Sequence, residues 1–182
     1  MNSNLILKEK LDNNLVIEVE YDGFIYNPRE VDYHMGIMVC WHKRYDLGDK
    51  DHGIDLDGLA SIQEVRKFIE EERNGIGILP LYLLDHSGIT ISTKPFNDPW
   101  DSGQVGFIYT TAERAQTYFR TDKLEEALTA EVEEYDRYLR GESYGFRIKK
   151  ACPTCGHHGE EIESCWGFGN PNEALEAAKE ML

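Results

Sequence analysis

The chain has 182 residues, 41% hydrophobic and 11% aromatic, which is enough apolar material for a packed core and too much for wholesale disorder. Its 19 Lys and Arg stand against 34 Asp and Glu, a net charge of −15 that argues against direct binding of nucleic acid or anionic lipid. The longest apolar run, residues 76–84, is broken by Pro80 and falls well short of the ~20 residues that span a bilayer, and the N-terminus lacks the basic start of a signal peptide.

Residues 5–7 (Leu-Ile-Leu) and 15–20 (Leu-Val-Ile-Glu-Val-Glu), separated by the turn cluster Asp12-Asn13-Asn14, read as a hairpin. Residues 36–41 (Gly-Ile-Met-Val-Cys-Trp) are a continuous apolar run, the pattern of a central strand. Ser61 and Glu64 form a capping box ahead of Ile62, Val65, Phe68 and Ile69 at helical spacing, and Asn74-Gly75 closes that helix. Residues 77–84 and 89–93 read as strands around the turn 85–88, and residues 104–109 as a further strand after the loop 94–103.

A short helix near 112–119 precedes a longer one over 122–139, with Leu124, Leu128, Val132, Tyr135 and Leu139 on one stripe and Gly141 as its stop. Residues 144–149 and 162–168 read as a last hairpin with a cysteine-containing tip at about 151–160. Asn170 then caps a terminal helix that has Pro171 at its first position. Hairpins dominate and no βαβ alternation occurs. The expected fold is one α+β domain over 1–182, an antiparallel sheet with helices on one face.

The cysteines are Cys40, Cys152, Cys155 and Cys165, and without a secretion signal they suggest reduced thiols in an intracellular compartment. Cys152-Pro153-Thr154-Cys155-Gly156 has the form of a zinc knuckle, in which proline and glycine shape a turn that aims two thiolates at one ion. Tetrahedral zinc needs two more ligands, and His157, His158 and Cys165 are the candidates, with Cys40 eligible only if the fold brings it near. The expectation is a structural zinc, against a hairpin tip without metal.

Asp46, Asp49, Asp51, Asp55 and Asp57 fall within twelve residues, offset only by Lys50. An EF-hand register would place Gly53, which has no side-chain oxygen, at the first ligand position, so calcium fits poorly. What remains is a solvated loop or an anionic patch facing a partner. The long helix carries Glu125, Glu126, Glu133 and Glu134 among eight acidic side chains against three basic ones from Asp122 to Glu142. Such a face is either solvated or a loose imitation of phosphate spacing. His34, His42 and His52 lie near the acidic loop without any metal-binding spacing, and Asp85-His86-Ser87 are too close in sequence to form a hydrolase triad. Trp100, between Pro99 and Asp101, is read as tucked beneath its loop, with display as an interface anchor as the alternative.

Three segments make the chain familiar: Asn97-Asp-Pro-Trp-Asp-Ser-Gly-Gln-Val-Gly-Phe-Ile-Tyr109, Glu131-Val-Glu-Glu-Tyr-Asp-Arg-Tyr-Leu-Arg-Gly141 and Glu163-Ser-Cys-Trp-Gly-Phe168. From about Gly36 onward the chain resembles small proteins carried by phages and mobile elements of gut Clostridia and their relatives. Within that group it is similar to the type II-A anti-CRISPR proteins, inhibitors of Cas9. The resemblance implies a non-enzymatic protein of the host bacterial cytoplasm that binds Cas9 or its guide RNA complex and blocks target DNA binding or cleavage. In the relatives the corresponding tip is often a plain acidic turn, so the cysteine-rich tip is a local elaboration. The candidate partner-binding residues are the five aspartates of the acidic loop, Trp100, and Glu125, Glu126, Glu133 and Glu134. Rival readings are a DNA-mimicking anti-restriction protein, a metal-dependent enzyme using residues 34–57, and a zinc-stabilised adaptor.

Overall fold

The computed structural model describes residues 4–11, 13–31, 34–118, 123–152 and 158–182. In chain order its elements are β1 (Leu5–Lys10), β2 (Leu15–Tyr21), β3 (Ile37–Cys40), α1 (Ile62–Glu72), β4 (Gly75–Asp85), β5 (Ile89–Ser92), β6 (Ser102–Thr111), α2 (Ala112–Tyr118), α3 (Leu124–Leu139), β7 (Tyr144–Ala151), β8 (His158–Phe168) and α4 (Pro171–Glu180). All strand pairs are antiparallel and the class is α+β. Where the sequence suggested one domain and one sheet, the chain divides into two compact units, each with its own four-stranded sheet. One unit joins the two ends of the chain, 1–26 with 141–182, and the other spans 27–140. Among the described residues, no helix is long and apolar enough to cross a membrane.

The unit built from the chain ends orders its strands β1-β2-β7-β8. Strand alternation sends Ile17 and Val19, with Phe146 and Ile148, into a core closed by Ala174 and Ala178 of α4, small residues that let the helix approach closely. The Asn170 side chain accepts from the Glu173 amide at 2.9 Å and Pro171 opens the helix, as the sequence indicates. On the opposite face of β2, Glu18 accepts from Lys8 and Lys149, both at 2.7 Å. Burial alone would raise the Glu18 carboxyl, but the hydrogen bonds and charges of these two lysines outweigh it and lower it to about 2.

The unit 27–140 orders its strands β3-β6-β4-β5. Strand β3, expected at the centre from its apolar run, lies at the edge. Its apolarity reflects burial on both faces: Met38 packs with Leu128 and Val132 of α3, and Val39 with Val65 and Ile69 of α1. Helices therefore cover both faces of this sheet, rather than one. At the outer edge of β3, the Met38 amide donates to Asp49 Oδ2 at 2.9 Å and the Gly36 amide to Glu131 Oε2 at 3.0 Å. Side-chain carboxylates do there what a neighbouring strand would otherwise do. Ser61 caps α1 by accepting from the Glu64 amide at 3.2 Å, while Glu64 reaches back to Ala60, one residue before the cap. Pro80 lies in β4 opposite Phe107 of β6, ahead of the pairing with β5 that begins at Tyr82.

Candidate functional site

The acidic loop is pinned from beneath by its apolar residues. Leu47 enters the core under α3 and Ile54 the core under α1, which leaves Asp46, Asp51, Asp55 and Asp57 exposed. Gly48 sits at φ +75°, where a Cβ would meet the Met38 carbonyl at 2.8 Å, and its amide donates to the Tyr135 hydroxyl at 3.0 Å. The Asp55 carboxylate accepts from the Asp57 amide at 3.1 Å, and the Arg73 guanidinium donates to the Gly53 carbonyl. These bonds hold the loop in one shape.

Asp49 departs from the reading that grouped it with its exposed neighbours. It forms a two-point pair with Arg29, Nε to Oδ1 at 2.7 Å and Nη2 to Oδ2 at 2.9 Å. The same guanidinium donates to Glu131 Oε2 at 3.0 Å and to the Gly36 carbonyl at 2.8 Å. Glu131 in turn accepts from the Met35 amide at 2.7 Å. The Arg29 side chain is 2% exposed, and although burial opposes its charge, Asp49 and then Glu131 outweigh that and raise its pKa. Asp49 is thus removed from the partner-binding set: it is consumed in fixing the acidic loop to α3. Arg29 is the only Lys or Arg between Lys10 and Lys43, and that isolation was the one signal in the sequence that could have singled it out.

Glu125, Glu126, Glu133 and Glu134 are all exposed on α3, outside the stripe of Leu128, Val132 and Tyr135 that packs inward. Glu126 pairs with Lys123 at 2.9 Å. Counted over residues 27–140, 13 basic side chains face 22 acidic ones, so this unit carries −9 of the charge.

Trp100 overturns the tucked reading: it is 92% exposed. Its loop is nevertheless ordered, since Asp98 Oδ1 accepts from the amides of Trp100 and Asp101, both at 3.0 Å, and Ser102 Oγ donates to the Asp98 carbonyl. His86 Nδ1 lies 2.7 Å from Asp101 Oδ2, and this bond raises the histidine pKa. The two backbone bonds lower that of Asp98. Trp100 and Asp101 border a cleft of about 840 Å³ whose other lining includes Trp41, Arg44, Leu83 and Val105. Arg44 there is paired with Asp85.

The histidines proposed for an enzyme are dispersed. His34 and His52 line a cleft of about 730 Å³ beside Arg29 and Asp49, while His42 stacks on Tyr45 with ring centres 4.9 Å apart. Burial lowers the pKa of His34 and of His52. Among the described residues, the one group of three or more His, Cys, Asp or Glu donors lying within 4.8 Å of one another is His86, Asp98 and Asp101. The segment 34–57 contributes nothing to it.

For the cysteine site, Cys155 and His157 lie outside the described residues, as does the side chain of His158. Cys165 is not placed to share an ion with Cys152. It pairs in register with Phe146 and packs into the core beneath α4, whereas Cys152 follows the far end of β7. Six residues of extended chain at ~3.3 Å each place Cys165 about 20 Å from Cys152. Cys40 belongs to the other unit, where burial pushes its thiol up to about 12.

No family model matches this chain, and neither the curated proteins nor the solved structures hold a match to it.

Proposed function

We propose that this protein is a non-enzymatic inhibitor of Cas9 that binds the guide-loaded nuclease through an acidic surface and obstructs target DNA binding or cleavage. The observation carrying this reading is that Asp46, Asp51, Asp55 and Asp57 stand exposed on a loop fixed by Arg29 to the same helix that exposes Glu125, Glu126, Glu133 and Glu134. A preformed array of carboxylates suits a protein that holds nucleic acid in a positively charged channel. It steers encounter and competes with phosphate for the same cations. The tip cysteines are a separate matter: zinc held by Cys152 and Cys155 with His157 and His158 would brace the β7–β8 hairpin and leave the acidic surface unchanged.

The test is binding to Cas9 with and without guide RNA, at rising salt, for the parent and for Asp46→Asn, Asp51→Asn, Asp55→Asn and Asp57→Asn combined. Asp49 stays in place because its loss would unseat the loop. Exposed charges are screened within ~10 Å at 0.1 M salt, so association should slow steeply with salt and by at least ~10-fold in the variant, with dissociation little changed. Salt-insensitive association of the variant at the parent's rate would remove the acidic loop from the mechanism.

A further inference from the structure

A tryptophan displayed at 92% exposure on an ordered loop leaves its indole in water, where a large apolar side chain gains nothing. The chain holds it there with specific bonds: both amides that follow Asp98 by two and three residues donate to one carboxylate oxygen, and Ser102 locks the Asp98 carbonyl. The indole is thus presented rather than left over. In the same loop are Asp98 and Asp101, one carboxylate oxygen of each lying within 4.8 Å of the other and of a His86 ring nitrogen. His86, itself exposed, holds Asp101 through its Nδ1 at 2.7 Å. The cations lining the adjoining cleft are Lys43 and Arg44, and Arg44 is already neutralised by Asp85.

We propose that Trp100 with Asp98 and Asp101 forms a recognition site for an arginine side chain on the surface of the protein partner. A guanidinium is planar and weakly hydrated, so it stacks on an indole face, and its fork of N–H groups can engage two carboxylates at once. A lysine ammonium offers neither the plane nor the fork. In the unbound protein the His86 ring nitrogen holds Asp101 Oδ2 at 2.7 Å, and docking of the guanidinium displaces it. Truncated aromatic anchors of this kind dominate interface energetics, while exposed carboxylates elsewhere act mainly on the association rate. The site deepens the inhibitor reading and rests on it for the partner's identity, with Trp100 acting on dissociation where the acidic loop acts on association.

The experiment has two arms. In the first, an arginine nonapeptide and a lysine nonapeptide are titrated calorimetrically into the parent, Trp100→Ala, and Asp98→Asn with Asp101→Asn. Asparagine keeps the oxygen that accepts the loop amides, and Trp100 is too exposed for its loss to unfold the chain. The parent should prefer the arginine peptide at least ~5-fold, both variants should lose that preference, and Glu133→Gln with Glu134→Gln should retain it. Equal affinity of the parent for the two peptides overturns the site. So does a preference that vanishes when chelator is added, which would mark the cluster as a divalent-metal site instead. In the second arm, dissociation from guide-loaded Cas9 should quicken at least ~10-fold in Trp100→Ala, and an unchanged rate overturns the site's role in that interface. If guide-loaded Cas9 binds neither parent nor variant, the inhibitor reading fails and the peptide arm alone decides the site.

Discussion

Replacing Arg29 by Ala removes a guanidinium that is 2% exposed and leaves the Asp49 and Glu131 side chains, 12% and 15% exposed, facing each other without their cation. It also strands the Gly36 carbonyl, which accepts from Arg29 at 2.8 Å. Breaking a buried pair from one side costs about 3–5 kcal/mol, because the surviving charge stays desolvated. For a cooperative unit of the size of residues 27–140, each kcal/mol corresponds to ~3–4 °C, so the melting temperature should fall by about 10–20 °C. Urea unfolding followed by tryptophan fluorescence measures the loss, since Trp41 of this unit packs against Phe107 with ring centres 6.0 Å apart. Arg29→Lys keeps the charge but not the fork, and should fall between parent and Ala. In a double-mutant cycle, Arg29→Met with Asp49→Asn should lose less than the sum of the single losses by at least ~1 kcal/mol. A loss below ~1 kcal/mol for Arg29→Ala, or strict additivity in the cycle, would refute the view that this network fixes the acidic loop.

Three further outcomes follow from the structure. The Glu18 carboxyl is lowered to about 2 when folded, so its contribution is complete above its ordinary value of 4.5 and is lost as pH falls towards 2; Glu18→Gln should cost about 1–3 kcal/mol at pH 7 and nothing near pH 2, measured by denaturation across that range. Cys40, with its thiol pushed up to about 12, should resist iodoacetamide at pH 8 under conditions that label the exposed Cys152 within minutes, as read by peptide mass spectrometry. If the hairpin tip holds zinc, Cys152→Ser with Cys155→Ser should remove it and lower the melting temperature, whereas Cys165→Ser should leave the metal content at the parent's level by elemental analysis; loss of zinc in Cys165→Ser would contradict the strand register.

Local signals in the sequence carried far. Ser61 and Asn170 cap the helices their patterns indicate, and Gly141, at φ +69°, follows the end of α3. Such features depend on neighbours a few residues away. The division into two units was invisible because it depends on β2 pairing with β7, more than a hundred residues apart. The edge position of β3 was hidden for a related reason: an apolar run reports how many faces are buried, not how many strands lie alongside. Within the candidate site, the exposed carboxylates were legible from charge alone. The separate role of Asp49 was not, since Arg29 lies 20 residues before it and Glu131 82 residues after it, and only folding brings the three together. Trp100 was misjudged because Asp98 satisfies the loop's amides without any need for the indole to fill space beneath it.

The proposed stoichiometric inhibition of Cas9 is best tested by titrating this protein against a fixed amount of guide-loaded Cas9 while following cleavage of a matched DNA target. For a one-to-one blocker, cleavage should fall linearly and end near one equivalent. Full cleavage at a large excess would contradict inhibition, and complete inhibition at a small fraction of an equivalent would show turnover, and so an enzyme.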